Sequence, residues 1–145
     1  MQAIDNLISD TEASQLWSSK PARAQDIQQA ETALGVSFPP SYRDFLSRYG
    51  AISIGDRRCI SGVIDNSPLD PGGTSVVGDT LRFRKEWQLP VHYVVIQADD
   101  DAPYCIDAQN RDAAGEAAVV CFELHSRLAT VIARSFPEWV ERFFA

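Results

Sequence analysis

One short stretch constrains the fold of this chain more than any other, residues 39–50, with the sequence PPSYRDFLSRYG. Pro39 and Pro40 suit the entrance of a helix, because residues of the first turn have no intrahelical partner for an N–H group. Gly50 can adopt the left-handed conformation that ends a helix. Aromatic and apolar residues recur between these ends at helical spacing, at Tyr42, Phe45, Leu46 and Tyr49. The stretch therefore predicts a helix with one buried aromatic face.

The rest of the N-terminal third is also predicted to be helical. A first helix is expected over residues 2–16, although residues 9–11 could end it early. A second helix is expected from Ala24 to Leu34, with Gly35 as its end. Arg23 stands where a serine or threonine cap would be the physical expectation.

Strand patterns dominate the remainder of the chain. Alternating or β-branched residues predict strands near residues 52–54, 59–64, 92–97, 102–108, 117–124 and 128–132. Residues 65–73 are dense in turn formers and predict a loop. A final helix is expected over Phe136–Phe144, capped by Ser135. Its predicted buried face consists of Phe136, Trp139, Val140 and Phe143.

Residues 74–88 are ambiguous between helix and strand. Val76, Thr80, Phe83 and Trp87 fit one helical face, with Thr74 as the cap. Gly78 and the β-branched residues weaken this assignment. Helix is the preferred prediction.

The order of these elements predicts the fold class. Helices come first, then strands, one helix, more strands and a last helix, within 145 residues, which suits one domain. This order favours a single α+β domain, residues 1–145, with an antiparallel central sheet covered on one face by helices.

Composition limits the class of partner. The net charge is −7 and the isoelectric point is near 4.7, which argues against direct nucleic-acid binding. The charge is compatible with a basic protein partner, and also with solubility alone. Residues 51–110 carry nine acidic and five basic side chains. An acidic face is therefore expected from the middle of the chain.

Targeting signals and cysteines predict the compartment. The apolar runs are far too short for a membrane span, and the N-terminus lacks the basic and apolar regions of a signal peptide. Cys59, Cys105 and Cys121 are odd in number and irregularly spaced, so a disulfide framework is not expected. These features predict a reduced, cytoplasmic protein without membrane contact.

Motifs for catalysis, metals and cofactors are not evident in the sequence. His92 and His125 have no metal-ligand partner at a known spacing. The Gly72–Thr74 turn could hold an anion at a helix N-terminus, but a simple turn is the commoner interpretation. No catalytic residue, metal site or cofactor is predicted.

The sharpest charge cluster is the run Asp99-Asp100-Asp101. Calcium-loop spacing is absent around it, and a polar turn offers no apolar pocket to raise the pKa of a catalytic acid. Two interpretations stay open: a solvated hairpin turn, or a contact patch for basic side chains of a partner.

Short patterns follow one another in a recognisable order over residues 24–144. They comprise Ile27, Glu31, Leu34 and Gly35 on one helix; Phe38, Pro39, Ser41, Tyr42, Phe45, Leu46, Tyr49 and Gly50 on the next; Ile60 and Gly62 on a strand; Val77–Arg84 before Leu89 and Pro90; Tyr104–Asp107; and Ser135, Phe136, Trp139 and Val140. In this order they resemble the SUKH superfamily, small α+β domains found in bacterial toxin-immunity proteins and in a fungal regulator of cell-wall synthesis. Family members often have glycine in the turn that is Asp-Asp-Asp-Ala-Pro here.

The resemblance implies a non-enzymatic binding role, most often that of an immunity protein that neutralises a cognate protein toxin by occluding its active site. A toxin that attacks nucleic acid would present a basic groove, which an acidic partner could fill. The candidate toxin-binding residues are Asp65, Asp70, Asp99, Asp100 and Asp101. The alternative is a regulatory interaction domain of the same fold without a toxin partner. An enzyme would need a pocket that gathers His92 or His125 with a cysteine or carboxylate.

Overall fold

The structure is a computed structural model that describes residues 2–55 and 58–144. Its helices are α1 (Gln2–Asp10), α2 (Ala24–Leu34), α3 (Pro40–Tyr49), α4 (Val76–Trp87) and α5 (Phe136–Trp139), which continues as a π-helical turn over Val140–Phe144. Its strands are β1 (Leu16–Ser18), β2 (Ile52–Ile54), β3 (Arg58–Ile60), β4 (Tyr93–Gln97), β5 (Tyr104–Arg111), β6 (Ala117–Phe122) and β7 (Ala129–Ala133).

The strands form two antiparallel sheets. One sheet has the order β1-β2-β3, and the other has the order β4-β5-β6-β7. The two sheets meet where the Ser61 N–H donates to the Ile96 carbonyl at 2.8 Å. Helices and antiparallel strands thus form the predicted α+β fold, and the strands are divided between two sheets.

Two apolar clusters lie on opposite faces of the four-stranded sheet. Alternate residues of β4 separate them, because Val94 and Ile96 join the larger cluster and Val95 joins the smaller one. The larger cluster also holds the buried apolar residues of α1, α2, α3 and α5, together with Val76 and Val77 at the start of α4. The smaller cluster contains Phe83 and Leu89, at and beyond the C-terminal half of α4. Most of the helices therefore cover one face of the four-stranded sheet, and the C-terminal half of α4 packs on the opposite face.

Helix α3 confirms the prediction made from residues 39–50. Tyr42, Phe45 and Leu46 are fully buried, and Phe45 packs against Phe136 of α5 with 5.5 Å between ring centroids. Gly50 ends the helix at φ = 71°. The aromatic face thus joins α3 to the C-terminal helix within the larger cluster.

Gly50 and Gly62 pack backbone against backbone. A Cβ atom at Gly62 would lie 1.8 Å from the Gly50 carbonyl oxygen. That oxygen accepts the Val63 N–H at 3.0 Å. No side chain fits between the end of α3 and the segment after β3, so both positions require glycine.

The ambiguous segment is a helix from Val76 to Trp87. The predicted cap was wrong by one position, because the Ser75 hydroxyl, and not that of Thr74, accepts the Gly78 N–H at 3.1 Å. A Cβ atom at Gly78 would lie 2.5 Å from the Gly72 carbonyl oxygen. Gly78 is therefore needed for the close approach of the preceding loop.

The first helix ends within residues 9–11, the early end that the sequence left open, and it does not reach Leu16. It ends at Asp10, and the Thr11 hydroxyl donates to the Leu7 carbonyl at 2.7 Å. Leu16, which was predicted to end this helix, instead begins β1, and β1 pairs with β2. The pairing partner lies more than thirty residues away, where local periodicity gives no signal.

The last helix follows the prediction at its start but not at its end. Ser135 caps it by accepting the Glu138 N–H at 3.3 Å. The predicted burial of Phe143 is wrong: Phe143 is 41% exposed, and Phe144 is buried in its place. The wider π-helical turn moves the inward position by one residue.

Candidate functional site

The two predicted acids of the 65–73 loop make hydrogen bonds of different range: Asp65 bonds to the distant Ser19, and Asp70 bonds within the loop. The Ser19 hydroxyl donates to Asp65 Oδ1 at 3.2 Å, and the Asp65 N–H donates to Ser19 Oγ at 2.6 Å. Asp70 Oδ1 accepts the Gly72 N–H at 2.7 Å. Asp65 is exposed and has φ = 45°. Both carboxylates thus shape the loop, and Asp65 also presents charge to solvent.

The three predicted acids of the 99–101 turn are all exposed. Asp99 Oδ2 accepts the N–H groups of Asp101 at 3.0 Å and of Ala102 at 2.8 Å. The Asp101 carbonyl accepts the Leu124 N–H at 2.9 Å. The turn is therefore held by Asp99 and by backbone, and the Asp100 side chain is exposed.

Asp99 and Asp100 line a cavity of about 310 Å³ between α4 and the end of β4. We call it the aromatic–acidic cavity; its lining residues are Arg82, Phe83, Glu86, Trp87, Ala98, Asp99 and Asp100. Asp70, by contrast, lies beside the first turn of α4, where its carbonyl approaches Gly78. The predicted acids thus lie in separate places: Asp70 is beside the first turn of α4, whereas Asp99 and Asp100, on the turn after β4, lie beside its C-terminal half. Among residues 2–55 and 58–144, no three acidic, histidine or cysteine side chains converge to hold a metal ion.

A buried carboxylate neutralises the basic residue of the cavity. Arg82 Nη1 lies 3.2 Å from Asp79 Oδ1, and Asp79 is 1% exposed. The Ser61 hydroxyl donates to Asp79 Oδ2 at 2.6 Å. Burial raises the pKa of Asp79, although Ser61 and Arg82 oppose this shift. Glu86, Asp99 and Asp100 therefore set the net charge of the cavity.

A second groove, which the sequence analysis missed, runs along the outer face of α2. It has a volume of about 440 Å³ and lies beside Leu69, which is 58% exposed. Its other lining residues are Gln25, Gln28, Gln29, Thr32 and Ala33. Glutamines at spacings of three and four are the only sequence signal of this face. Glutamine side chains are neutral and are neither ionisable nor nucleophilic, so the criteria of charge and catalytic chemistry do not identify them.

The histidines and cysteines occupy structural environments. The His92 ring packs on Tyr93, with 4.3 Å between ring centroids, and the His125 ring packs edge-on against Trp87 at 5.2 Å. Cys59, Cys105 and Cys121 are free thiols. Burial raises the pKa of all three, which lowers the thiolate fraction available as a nucleophile.

The glycine turn before α4 is occupied by the chain itself. The Asp70 carboxylate accepts the Gly72 N–H, and Ser75 accepts the Gly78 N–H. These bonds favour the simple-turn interpretation of residues 72–74.

Within the described part of the chain, no helix has the length and apolar character needed to cross a membrane.

Comparison with family models identifies the family of this chain. A family model named SUKH_5, with the description SMI1-KNR4 cell-wall, matches residues 1–145. A comparison with curated proteins gave no match.

Proposed function

This chain belongs to the SUKH superfamily, since the SUKH_5 family model matches it over residues 1–145, and on that premise we propose that it is a bacterial immunity protein. It binds a cognate protein toxin in the cytoplasm and blocks the active site of the toxin. The single observation that carries the proposal is the family match over residues 1–145. Toxin immunity is a frequent role of this superfamily.

The charge of the chain supports a basic partner. The net charge is −7, and the exposed acids of the 99–101 turn and Asp65 place part of it on the surface. A toxin that acts on nucleic acid carries a basic groove, and carboxylates at phosphate-like positions can fill such a groove. Charge complementarity of this kind accelerates encounter and fixes orientation.

Exposed apolar side chains offer the anchors that tight binding also requires. Interface energy concentrates in a few buried aromatic or aliphatic contacts, and peripheral charges mainly set the association rate. Within the described part of the chain, the large apolar side chains that are more than two-fifths exposed are Trp17, Leu69, Leu81, Val91, Leu128, Val131 and Phe143. Trp17 and Leu69 each border a groove, which makes them the best candidates for anchors.

A regulatory interaction domain without a toxin partner is the second candidate function. The family description refers to the cell wall and not to a toxin, which is the observation that favours it. The two functions differ in the partner and share the use of a binding surface.

Co-expression with the product of the neighbouring gene tests the proposal. We expect that product to arrest growth when expressed alone, and we expect this chain to restore growth and to co-purify with it in a stable complex. The matched control is Phe45→Ala, which removes a fully buried core side chain and should abolish rescue by unfolding the protein. A neighbour that is not toxic, or a toxic one that this chain neither binds nor counteracts, would favour the regulatory function.

A further inference from the structure

We propose that the aromatic–acidic cavity is the socket for one arginine side chain of the protein partner. This inference rests on the proposed function, because it names the chemistry of the contact that the partner would make. The aromatic–acidic cavity has a volume of about 310 Å³, which lies at the lower end of the range for ligand pockets. That size suits a single side chain better than a cofactor.

The cavity has an aromatic wall of fixed position. Phe83 is 5% exposed, and Trp87 is half-buried. Arg127 donates to the Trp87 carbonyl at 2.7 Å, and the His125 ring contacts the Trp87 ring edge-on. Because Trp87 is held from both its backbone and its ring, it offers a preorganised surface. A planar guanidinium stacks on such a surface better than an ammonium group does.

The charge of the cavity suits a cation. Arg82 contributes a positive charge, but it is paired with Asp79 and its guanidinium lies 5.2 Å from the centroid of the Phe83 ring. The remaining lining charges are the three carboxylates of Glu86, Asp99 and Asp100. An entering guanidinium would therefore meet net negative charge as well as an aromatic ring.

Asp99 is oriented before any partner arrives. Its Oδ2 atom accepts two backbone N–H groups, of Asp101 and Ala102. A carboxylate that is already fixed loses less conformational freedom when it binds, which favours affinity. Glu86 and Asp100 are exposed, so they can be changed without disturbing the turn.

The probe for this inference is N-acetyl-arginine amide, with N-acetyl-citrulline amide as the uncharged isostere. Titration into the folded chain, followed by amide chemical shifts, should give saturable shifts that map to residues 82–87 and 98–100. We expect a millimolar dissociation constant for the arginine probe and no saturable shifts at these positions with citrulline. Nα-acetyl-lysine amide, which keeps its side-chain ammonium group, should bind more weakly than the arginine probe, because an ammonium group is not planar and does not stack on a ring.

Variants assign the binding to the cavity. The pair Glu86→Gln and Asp100→Asn should weaken the arginine probe by about 3- to 10-fold, the expected effect of losing two exposed charge contacts. The matched pair Glu12→Gln and Glu141→Gln, also exposed, removes the same charge elsewhere and should leave binding within about twofold.

Three results would overturn the inference: equal shifts with citrulline, lysine binding as tight as arginine, or equal loss of binding in both pairs of variants. None of these requires the toxin. Failure here would therefore leave the immunity proposal standing, and failure of co-expression would leave the cavity result standing.

Discussion

At the scale of single residues, the burial of Asp79 is a property that the sequence does not indicate. By position Asp79 is an ordinary acid in the first turn of a helix, yet it is 1% exposed and lies between Ser61 and Arg82. Asp79 is buried where α4 packs against the segment after β3, which carries Ser61. Its raised pKa is a consequence of that packing and gives the folded state a measurable pH dependence.

We predict that Asp79→Asn changes the pH dependence of stability. The pKa of Asp79 is higher in the folded chain than its ordinary value of 3.8, so the folded state binds the proton more tightly. The contribution of this group is fully present below pH 3.8 and is lost as pH rises through the folded pKa. The free energy of unfolding of the variant should therefore rise relative to that of the parent as pH increases from about 4, as measured by urea unfolding.

Asp26 supplies the matched control for this measurement. It is 2% exposed, and its hydrogen bonds from Arg23 lower its pKa below 3.8. The contribution of Asp26 is thus present above pH 3.8 and is lost only as pH falls through the lower, folded pKa. The difference between Asp26→Asn and the parent should be constant above about pH 5, and below that pH the variant should gain stability relative to the parent as pH falls. A constant difference for Asp79→Asn as well would contradict the account of Asp79.

Arg23 shows how a sequence rule can fail for a physical reason. A serine or threonine cap was expected at this position, but the hydrogen bonds at the start of α2 are accepted by a side chain inside the helix, that of Asp26. The Asp26 carboxylate accepts the Arg23 backbone N–H at 3.1 Å and the Arg23 guanidinium at 2.9 Å. The carboxylate of the third helical residue thus satisfies the N–H that precedes the helix.

At the scale of elements, predictability depends on how far away the decisive partner lies. Helix α3 was predictable because the proline entrance, the aromatic spacing and Gly50 all fall within residues 39–50. Strand β1 was not, because β2 defines it from a distance. The π-helical turn after α5 was also not predictable, since it arises where Phe144 packs into the core in place of Phe143.

We predict that Gly62→Ala destabilises the domain by about 3 kcal/mol or more, the upper range for overpacking. The added Cβ atom would lie 1.8 Å from the Gly50 carbonyl oxygen, where backbone must move. Gly73→Ala is the control, because nothing lies within 4 Å of a Cβ atom at that position, and it should change stability by about 0.5 kcal/mol at most. Chemical unfolding measures both, and equal effects would contradict the close packing of Gly50 and Gly62.

At the scale of the whole molecule, charge was predictable and shape was not. The excess of acidic residues in the middle of the chain can be counted from the sequence, and the acids of the 99–101 turn are exposed in the structure. The cavity that two of these acids share with Trp87 could not be predicted, because it exists only once α4 packs against β4. The groove beside Leu69 likewise requires the 65–73 loop to meet α2.

We predict that Asp100→Lys combined with Asp101→Lys slows association with the toxin about tenfold or more at low salt and weakens the salt dependence of the rate. Asp99 is retained because it holds the turn. The control pair, Glu12→Lys with Glu141→Lys, changes the net charge equally. Stopped-flow association rates at low and high salt distinguish the pairs. Equal slowing by both would mean that net charge acts without a local contact.

The measurement that tests the central claim most directly is a titration of the purified neighbouring toxin with this chain, following the activity of the toxin. An immunity protein that occludes the active site should abolish activity at one equivalent, with a linear fall before that point because binding is tight. Full toxin activity in the presence of a several-fold excess of the folded chain would contradict the claim.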